Sequence, residues 1–262
     1  MSLQCKLVNA RSVCNKLPEI HSILYSGCTD VVLITESWLS DSVTNGLLDP
    51  EHCFNIIRCD RKNTVGGGVC TLVSKKFDIV EVPVTTDFPL IEVTCVDIFL
   101  GCTRCRLFNV FRKPTSNASD SVRAMEQLIS CLERFCQTKY PCVIAGDLNC
   151  PLINWSDCSA PYGSIYDKFL SFVVRNGFTQ LVRESTRQHS LLDIVLTNEP
   201  LIVSSVGVEA PLSNSDHCQV NFSVTVEAPA KTHGREQIKQ YLWDNCRTSS
   251  QQLTGPTYCL LT

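Results

Sequence analysis

The sequence lacks the features that mark fibrous, disordered, secreted or membrane proteins. It has only twelve glycines and twelve prolines in 262 residues, which excludes a collagen-like or low-complexity chain. No apolar run reaches the roughly 18 to 20 residues that a spanning helix needs, and the opening MSLQCKLVNARS has no apolar block typical of a signal peptide. We therefore expect an intracellular protein with no membrane partner.

A strong charge of either sign is also missing. The formal net charge is −3, with 44% hydrophobic and 19% charged residues, so a protein that mainly coats nucleic acid is not indicated. An enzyme that contacts a few phosphates around an acidic, metal-loaded site remains compatible with this balance, because magnesium sites need carboxylates. A mass of 29.2 kDa allows one large α/β domain, which we favour over two small domains.

Cysteine is abundant, but its pattern is uninformative for metal binding. The seventeen cysteines are an odd number, and only Cys102 and Cys105 have CxxC spacing; one such pair does not predict a zinc site. In a reducing compartment free cysteine behaves as a small buried hydrophobe. We therefore predict that most of these thiols lie in or near the core.

The hydrophobic pattern alternates short strands with a few helices. Helices are predicted at 17–27, at 120–137 with Ser119 as N-cap, and at 163–176, and we treat 227–262 as a linker or poorly ordered tail with at most a short helix near 235–245. This order predicts two packed sheets flanked by helices within residues 1–226. Strands are predicted at 2–9, 30–37, 53–59, 68–74, 77–82, 90–99, 105–111, 141–149, 191–198, 201–208 and 218–226.

Short polar side chains stand at the ends of these strands. Taken singly, each has an ordinary explanation as a loop, capping or turn residue. The exception is Asp193, whose apolar neighbours require its carboxylate to find a partner or stay neutral. Together they form a set placed on a rigid frame, as in many active sites of sheet proteins: Asn9, Glu36, Asp147, Asn149, Asp193, Asp216 and His217.

The order of these residues resembles the endonuclease/exonuclease/phosphatase (DNase I-like) superfamily. Several phrases, including VVLITESWL, VIAGDLNCPLINW, LLDIVLTN and LSNSDHC, are similar to the endonuclease domain of non-LTR (LINE-type) retrotransposons. The resemblance covers roughly residues 3–226. It implies an α/β fold that is a four-layered sandwich, with two packed, mostly antiparallel sheets flanked by helices and the active site at one edge.

The resemblance also implies a role for each polar residue in metal-dependent phosphodiester hydrolysis. Mg²⁺ is the implied cofactor, with Mn²⁺ as an alternative, Glu36 as principal ligand and Asn9 and Asp216 in or near its shell. Asp147 would orient or deprotonate water, and Asn149 would hold the phosphate or Asp147. His217 would donate to a phosphate oxygen, oriented by the distant Asp193 rather than by its neighbour Asp216.

Three further residues are predicted to contact DNA: Phe111, Arg112 and Arg187. Related endonucleases usually carry Tyr where this chain has Phe111, so a hydroxyl that would contact phosphate is missing there. Weaker candidates are Arg58, Arg61, Lys62 and Lys113, because a solvated loop face explains most such residues equally well.

The leading expectation is a monomeric nuclear endonuclease that nicks double-stranded DNA and leaves a 3′-hydroxyl for target-primed reverse transcription. The resemblance implies a reverse transcriptase domain in the parent element, and we recognise no polymerase-like segment in residues 227–262. Two alternatives stay open: an abasic-site endonuclease or other phosphoesterase with the same fold, and a decayed relic that no longer cuts.

Overall fold

The computed structural model describes residues 2–62, 65–84 and 87–225. Apart from a 3₁₀ turn at Pro200–Ile202, the elements in chain order are β1 (Ser2–Asn9), α1 (Leu17–Leu24), β2 (Val31–Thr35), α2 (Asn45–Leu48), β3 (Phe54–Cys59), β4 (Val69–Ser74), β5 (Ile79–Glu81), β6 (Glu92–Leu100), β7 (Thr103–Phe111), α3 (Ala118–Phe135), β8 (Cys142–Asp147), α4 (Ile165–Arg175), β9 (Thr179–Gln180), β10 (Asp193–Thr197), β11 (Val203–Pro211) and β12 (Cys218–Thr225).

The strands form two six-stranded sheets. The first has the order β11-β12-β1-β2-β4-β3 and the second the order β5-β6-β7-β8-β10-β9. In each sheet one central pair is parallel, β1 with β2 and β7 with β8, and the other pairs are antiparallel. This confirms the predicted architecture of two packed, mostly antiparallel sheets with flanking helices.

Three apolar layers separate the four structural layers. Strand β8 shows why, because successive side chains of a strand point to opposite faces. Val143 and Ala145 face the first sheet, whereas Cys142 and Ile144 pack under α3 and α4. A third cluster packs α1 against the outer face of the first sheet. The continuous apolar run of β8 is therefore buried on both faces, as its sequence predicts.

The capping residue of α3 differs from the prediction. Ser119 was expected to cap a helix beginning at residue 120, but the side chain of Asn117 accepts from the backbone N–H groups of Ser119 and Asp120, and the helix starts at Ala118. Asparagine and serine are about equally good N-caps, so composition alone does not choose between them. The short elements α2 and β9 were also missed, since four and two residues carry no periodic signal.

The central strands converge at one edge of the sandwich. Strands β1 and β2 run in parallel and end there, and β12, antiparallel to β1, begins there. In the second sheet β8 ends at this edge, where Asp147 is the register partner of Asp193 at the start of the antiparallel β10. Strand topology thus gathers the polar strand ends that are far apart in sequence.

Gly146, one residue before the end of β8, is required by close approach of the neighbouring strand. Its φ is +150°, and a Cβ at this position would lie 1.9 Å from the carbonyl oxygen of Val110. Any larger residue would push β8 away from β7. The glycine therefore allows the Asp147 backbone to lie against the end of β7.

All described residues fall within one unit spanning Met1–Val226. The predicted tail at 227–262 and its short helix lie outside the described residues. Of the fifteen described cysteines, seven are buried and three are partly buried, which agrees with the prediction of core and near-core thiols. Among the described helices, none combines the length and apolar character needed to cross a bilayer.

Candidate active site

Asp147 is the centre of the polar edge. It is 2% exposed, and its Oδ2 accepts a hydrogen bond of 3.0 Å from Nδ2 of Asn9, which belongs to the opposite sheet. Its Oδ1 accepts from the backbone N–H of Asn149 at 3.2 Å. Asn149 adopts a left-handed backbone conformation with φ +50°, which turns the chain back towards the carboxylate. Two donors thus fix the orientation of this buried acid.

His217 and Asp193 form a second contact between the sheets. The distance from His217 Nδ1 to Asp193 Oδ2 is 2.7 Å, and both side chains are buried. The hydroxyl of Thr186 accepts from the backbone N–H of Asp193. The structure therefore contains the predicted His217–Asp193 pair, although the catalytic roles of the two residues stay predictions.

The two acids of the second sheet perturb the ionisation of the site. Burial, and then the negative charge of Asp193, raise the pKa of Asp147 well above its ordinary value. The charge of Glu36 contributes in the same direction, which indicates that its carboxylate faces the same space. Burial lowers the pKa of His217, but the hydrogen bond and charge of Asp193 outweigh burial and raise it. The site therefore favours an imidazolium near a carboxylate that holds its proton unusually strongly.

Glu36 lies just beyond the end of β2, in a left-handed backbone conformation with φ +51°. Its Oε2 accepts from the indole N–H of Trp38 at 2.5 Å and from the backbone N–H of Gly67 at 3.1 Å. Both contacts use the same carboxylate oxygen. Oε1 is therefore the oxygen left for another ligand.

The donor set fits a hard divalent cation. Oδ1 of Asn9 and Oδ1 of Asp193 are buried oxygens without a hydrogen-bond partner among the described residues. Buried oxygens normally find a donor or a cation, and oxygen ligands suit Mg²⁺ and Mn²⁺. Within the described part of the chain, ligand atoms of Asp147, Asp193 and His217 lie within 4.8 Å of one another. The predicted ligands Glu36 and Asp216 are not members of that cluster.

Asp216 contacts two arginines. Its Oδ1 accepts from Arg11 at 3.0 Å, and its Oδ2 accepts from Nε and Nη2 of Arg187 at 2.8 and 2.7 Å. The guanidinium groups outweigh partial burial and lower the pKa of Asp216. The role of Asp216 in catalysis and metal binding stays a prediction.

Arg112 and Phe111, the other predicted DNA contacts, are both buried. Arg112 is 2% exposed and donates to the carbonyl oxygens of Leu148 at 2.8 Å and Asn149 at 2.5 Å. Phe111 is 1% exposed and packs below the guanidinium of Arg61. Arg112 therefore holds the 147–149 turn in place, and contact of either side chain with DNA stays a prediction. Arg61 itself pairs with Glu92, and Arg58 pairs with Asp60, so these weaker candidates are engaged as well.

Arg187 keeps a surface that can reach a ligand. Its side chain is 40% exposed, and it lines a cavity of about 380 Å³ together with Asn149, Tyr166 and Gln188. This cavity adjoins the site through Asn149 and Leu192, the residue before Asp193. Contact between Arg187 and DNA stays a prediction.

Sequence reasoning missed several residues that complete the site. Ser215 donates its hydroxyl to the carbonyl oxygen of Asn9 and accepts from the backbone N–H of His217, so it joins two strand ends. Arg11 and Trp38 contact Asp216 and Glu36. The available signal was proximity in sequence, since each of these residues lies within two positions of a polar strand-end residue.

With this geometry in place, comparison with known proteins defines the class of fold. The chain matches the endonuclease domain of TRAS1, a telomere-specific non-LTR retrotransposon, with a TM-score of 0.66 and 15% identity over 87% of this chain and 100% of that one. The Xenopus laevis APE2 catalytic domain matches with a TM-score of 0.65 and 13% identity, over 87% and 94%. The fold is thus the DNase I-like α/β sandwich.

A third structure, a Neisseria 3′ phosphatase (NExo) bound to a product DNA hairpin, matches with a TM-score of 0.65 and 14% identity over 86% of this chain and 100% of that one. A family model described as endonuclease-reverse transcriptase matches residues 105–221. No curated protein matches by sequence. These findings confirm the predicted resemblance to DNase I-like proteins and to retrotransposon endonucleases.

Proposed function

We propose that the protein is a metal-dependent DNA endonuclease that hydrolyses one phosphodiester bond and leaves a 3′-hydroxyl. The observation that carries this proposal is the convergence of Asn9, Asp147, Asp193 and His217 through two hydrogen bonds that connect the sheets. Phosphodiester hydrolysis needs an oriented water, a donor for phosphate oxygen and a cation to neutralise charge. The site has groups suited to each.

Glu36 Oε1 and the unpaired Oδ1 of Asn9 would hold Mg²⁺, with Mn²⁺ as an alternative. When bound, the cation supplies charge neutralisation for the phosphate and the leaving oxygen. The cluster of Asp147, Asp193 and His217 offers a second set of donors close to the same place. Binding at that cluster would compete with the His217–Asp193 hydrogen bond, so we assign the cation to the Glu36 side.

Asp147 is suited to orient and deprotonate the attacking water. Its position is fixed by Asn9 and by the backbone of Asn149, and its raised pKa makes it a stronger base than an exposed aspartate. Asn149 acts here through Asp147, because its amide side chain is occupied by the carbonyl oxygen of Arg112.

His217 is suited to donate from Nε2 to a non-bridging phosphate oxygen as negative charge develops. Asp193 accepts a hydrogen bond from Nδ1 of His217, and this contact orients the ring and stabilises the imidazolium. The raised pKa of His217 keeps the donating form populated at a higher pH than in an isolated histidine.

Double-stranded DNA is the proposed substrate, and the partly exposed Arg187 is the proposed phosphate contact. Support comes from the TRAS1 endonuclease domain and the DNA-bound Neisseria phosphatase as structural neighbours. We further propose a monomer that acts in the nucleus and primes reverse transcription, since the matching family model couples an endonuclease with a reverse transcriptase.

The test is incubation of the purified chain with supercoiled plasmid and Mg²⁺, with and without EDTA, beside His217→Ala. We expect metal-dependent conversion to open circles that His217→Ala abolishes. Nicking that survives this substitution would contradict the assigned site. A Lys139→Ala variant is the matched control, because Lys139 is exposed and precedes the start of β8, at the opposite end of that strand from Asp147.

A second candidate is cleavage at abasic sites, favoured by the cavity beside Asn149 and by a structural neighbour described as an AP endonuclease, LMAP from Leishmania major. Comparing cleavage of an abasic duplex with that of an intact duplex of the same sequence separates the two. A decayed relic predicts cleavage of neither duplex by the unmutated chain.

A further inference from the structure

The carboxylate of Glu36 is held from one side by two donors. The indole N–H of Trp38 and the backbone N–H of Gly67 both donate to Oε2. Hydrogen bonds to one oxygen fix the plane of the carboxylate and leave the other oxygen as the ligand atom. Trp38 is 37% exposed, so the core does not require its large side chain.

The backbone next to this carboxylate is hydrogen-bonded to the loop that contains Gly67 and Gly68. The N–H of Ser37 donates to the carbonyl oxygen of Gly68 at 3.1 Å, and the N–H of Trp38 donates to that of Gly67 at 2.8 Å. Glu36 and Trp38 both have positive φ, near +50°, which is unusual for residues with side chains. Such conformations persist where the surroundings enforce them, and they are concentrated at functional sites.

Gly67 fits this arrangement because no side chain is possible there. Its φ is +74°, and an added Cβ would lie 2.1 Å from Cζ of Arg61. Arg61 in turn pairs with Glu92, whose Oε2 accepts from the N–H of Gly68 at 3.0 Å. Two contacts therefore hold this loop: Glu92, paired with Arg61, accepts from Gly68, and Glu36 accepts from Gly67.

From this geometry we propose that Trp38 is a positioning residue for the metal site, which together with Gly67 makes Glu36 a one-oxygen ligand through Oε1. This inference rests on the proposed function, in which Glu36 binds the cation. Without the indole N–H, the Glu36 carboxylate is free to rotate. Its Oε1 is then no longer oriented for the cation before the cation binds. Trp38 thus contributes to metal affinity without touching the metal.

The experiment is calorimetric titration of the full chain with Mn²⁺ alone, without DNA. Four proteins are compared: the unmutated chain, Trp38→Phe, Glu36→Ala and Trp155→Phe. The last is a matched control, since the buried indole N–H of Trp155 has no hydrogen-bond partner among the described residues. Thermal unfolding of each protein without metal shows whether the fold is retained.

We expect Trp38→Phe to weaken Mn²⁺ binding about tenfold, as is usual for a residue that orients a ligand, with metal-free unfolding unchanged. Trp155→Phe should bind Mn²⁺ as the unmutated chain does, and Glu36→Ala should lose binding. Equal affinity of Trp38→Phe and the unmutated chain, while Glu36→Ala loses binding, overturns the positioning role alone. A Glu36→Ala variant that binds normally, or an unmutated chain that binds no Mn²⁺, removes the proposed metal site and this inference with it.

Discussion

At the scale of single residues, the site places two carboxylates close together, and their mutual repulsion destabilises the fold. Asp147 and Asp193 face each other as register partners on adjacent strands, where like charges are destabilising. His217 lies against both acids, and an imidazolium offsets part of that repulsion. The fold therefore holds two acids in an unfavourable arrangement at the site where the proposed hydrolysis would use their ionisation.

Asp193→Asn tests the histidine half of this arrangement. The substitution removes the carboxylate charge that raises the pKa of His217 while preserving size, so we expect the fold to remain and the nicking rate to fall by roughly 10² to 10⁴. Initial rates on supercoiled plasmid and a circular-dichroism melt measure the two effects. An unchanged rate would exclude Asp193 from the site.

At the scale of elements, another buried acid, Asp97, stabilises the second sheet away from the site. Asp97 of β6 is 3% exposed and accepts from Nε and Nη2 of Arg106 on the paired strand β7. The hydroxyl of Tyr140, just before β8, donates to the same carboxylate at 2.7 Å. The Asp97 side chain thus connects β6 with β7 and with the segment just before β8.

The pH dependence of this connection has a definite sign. Burial raises the pKa of Asp97, but Arg106 and Tyr140 outweigh burial and lower it, so its contribution to stability is full above about pH 4 and is lost as pH falls through its folded-state pKa. We expect Asp97→Asn to reduce the free energy of unfolding by about 3 kcal/mol at pH 7. Urea titrations from pH 7 down to pH 3 should show the difference from the unmutated chain shrinking.

Gly146→Ala addresses the parallel pair β7–β8. The new Cβ would meet the Val110 carbonyl oxygen, so we expect a loss of at least about 3 kcal/mol or insoluble expression. Gly207→Ala is the control, because a Cβ at Gly207 meets nothing within 4 Å and its φ is not positive. Chemical unfolding of both variants measures the contrast, and similar stabilities would contradict the close approach.

Which elements the sequence predicts depends on the range of the interactions that decide them. The periodic strands and helices and the Asp193–His217 pair were predicted, because strand patterns are local and the resemblance supplies the pairing. The binding of Asp216 by Arg11, 205 positions away, has no local signal. The burial of Arg112 depends likewise on carbonyl oxygens of a turn 36 and 37 positions along the chain.

At the scale of the whole molecule, the net charge of −3 makes electrostatic binding to DNA modest. Arg187 is one proposed contact, with a partly exposed side chain, and we expect two or three neutralised phosphates in all. Binding should then weaken about 10- to 40-fold between 50 and 200 mM salt, alike for unrelated sequences. Fluorescence anisotropy with Ca²⁺ in place of Mg²⁺ measures this, and a much steeper salt dependence would indicate a larger basic surface.

The two hydrogen bonds that connect the sheets at the site also affect when activity can arise. Strand β1, which carries Asn9, pairs with β12, which follows His217, so the first and last described strands are neighbours in the sheet. In the proposed function His217 donates to phosphate, and His217 follows β11 in the sequence. We expect a chain synthesised only as far as β11 to be unable to nick DNA, because it lacks both His217 and β12, the strand that pairs with β1.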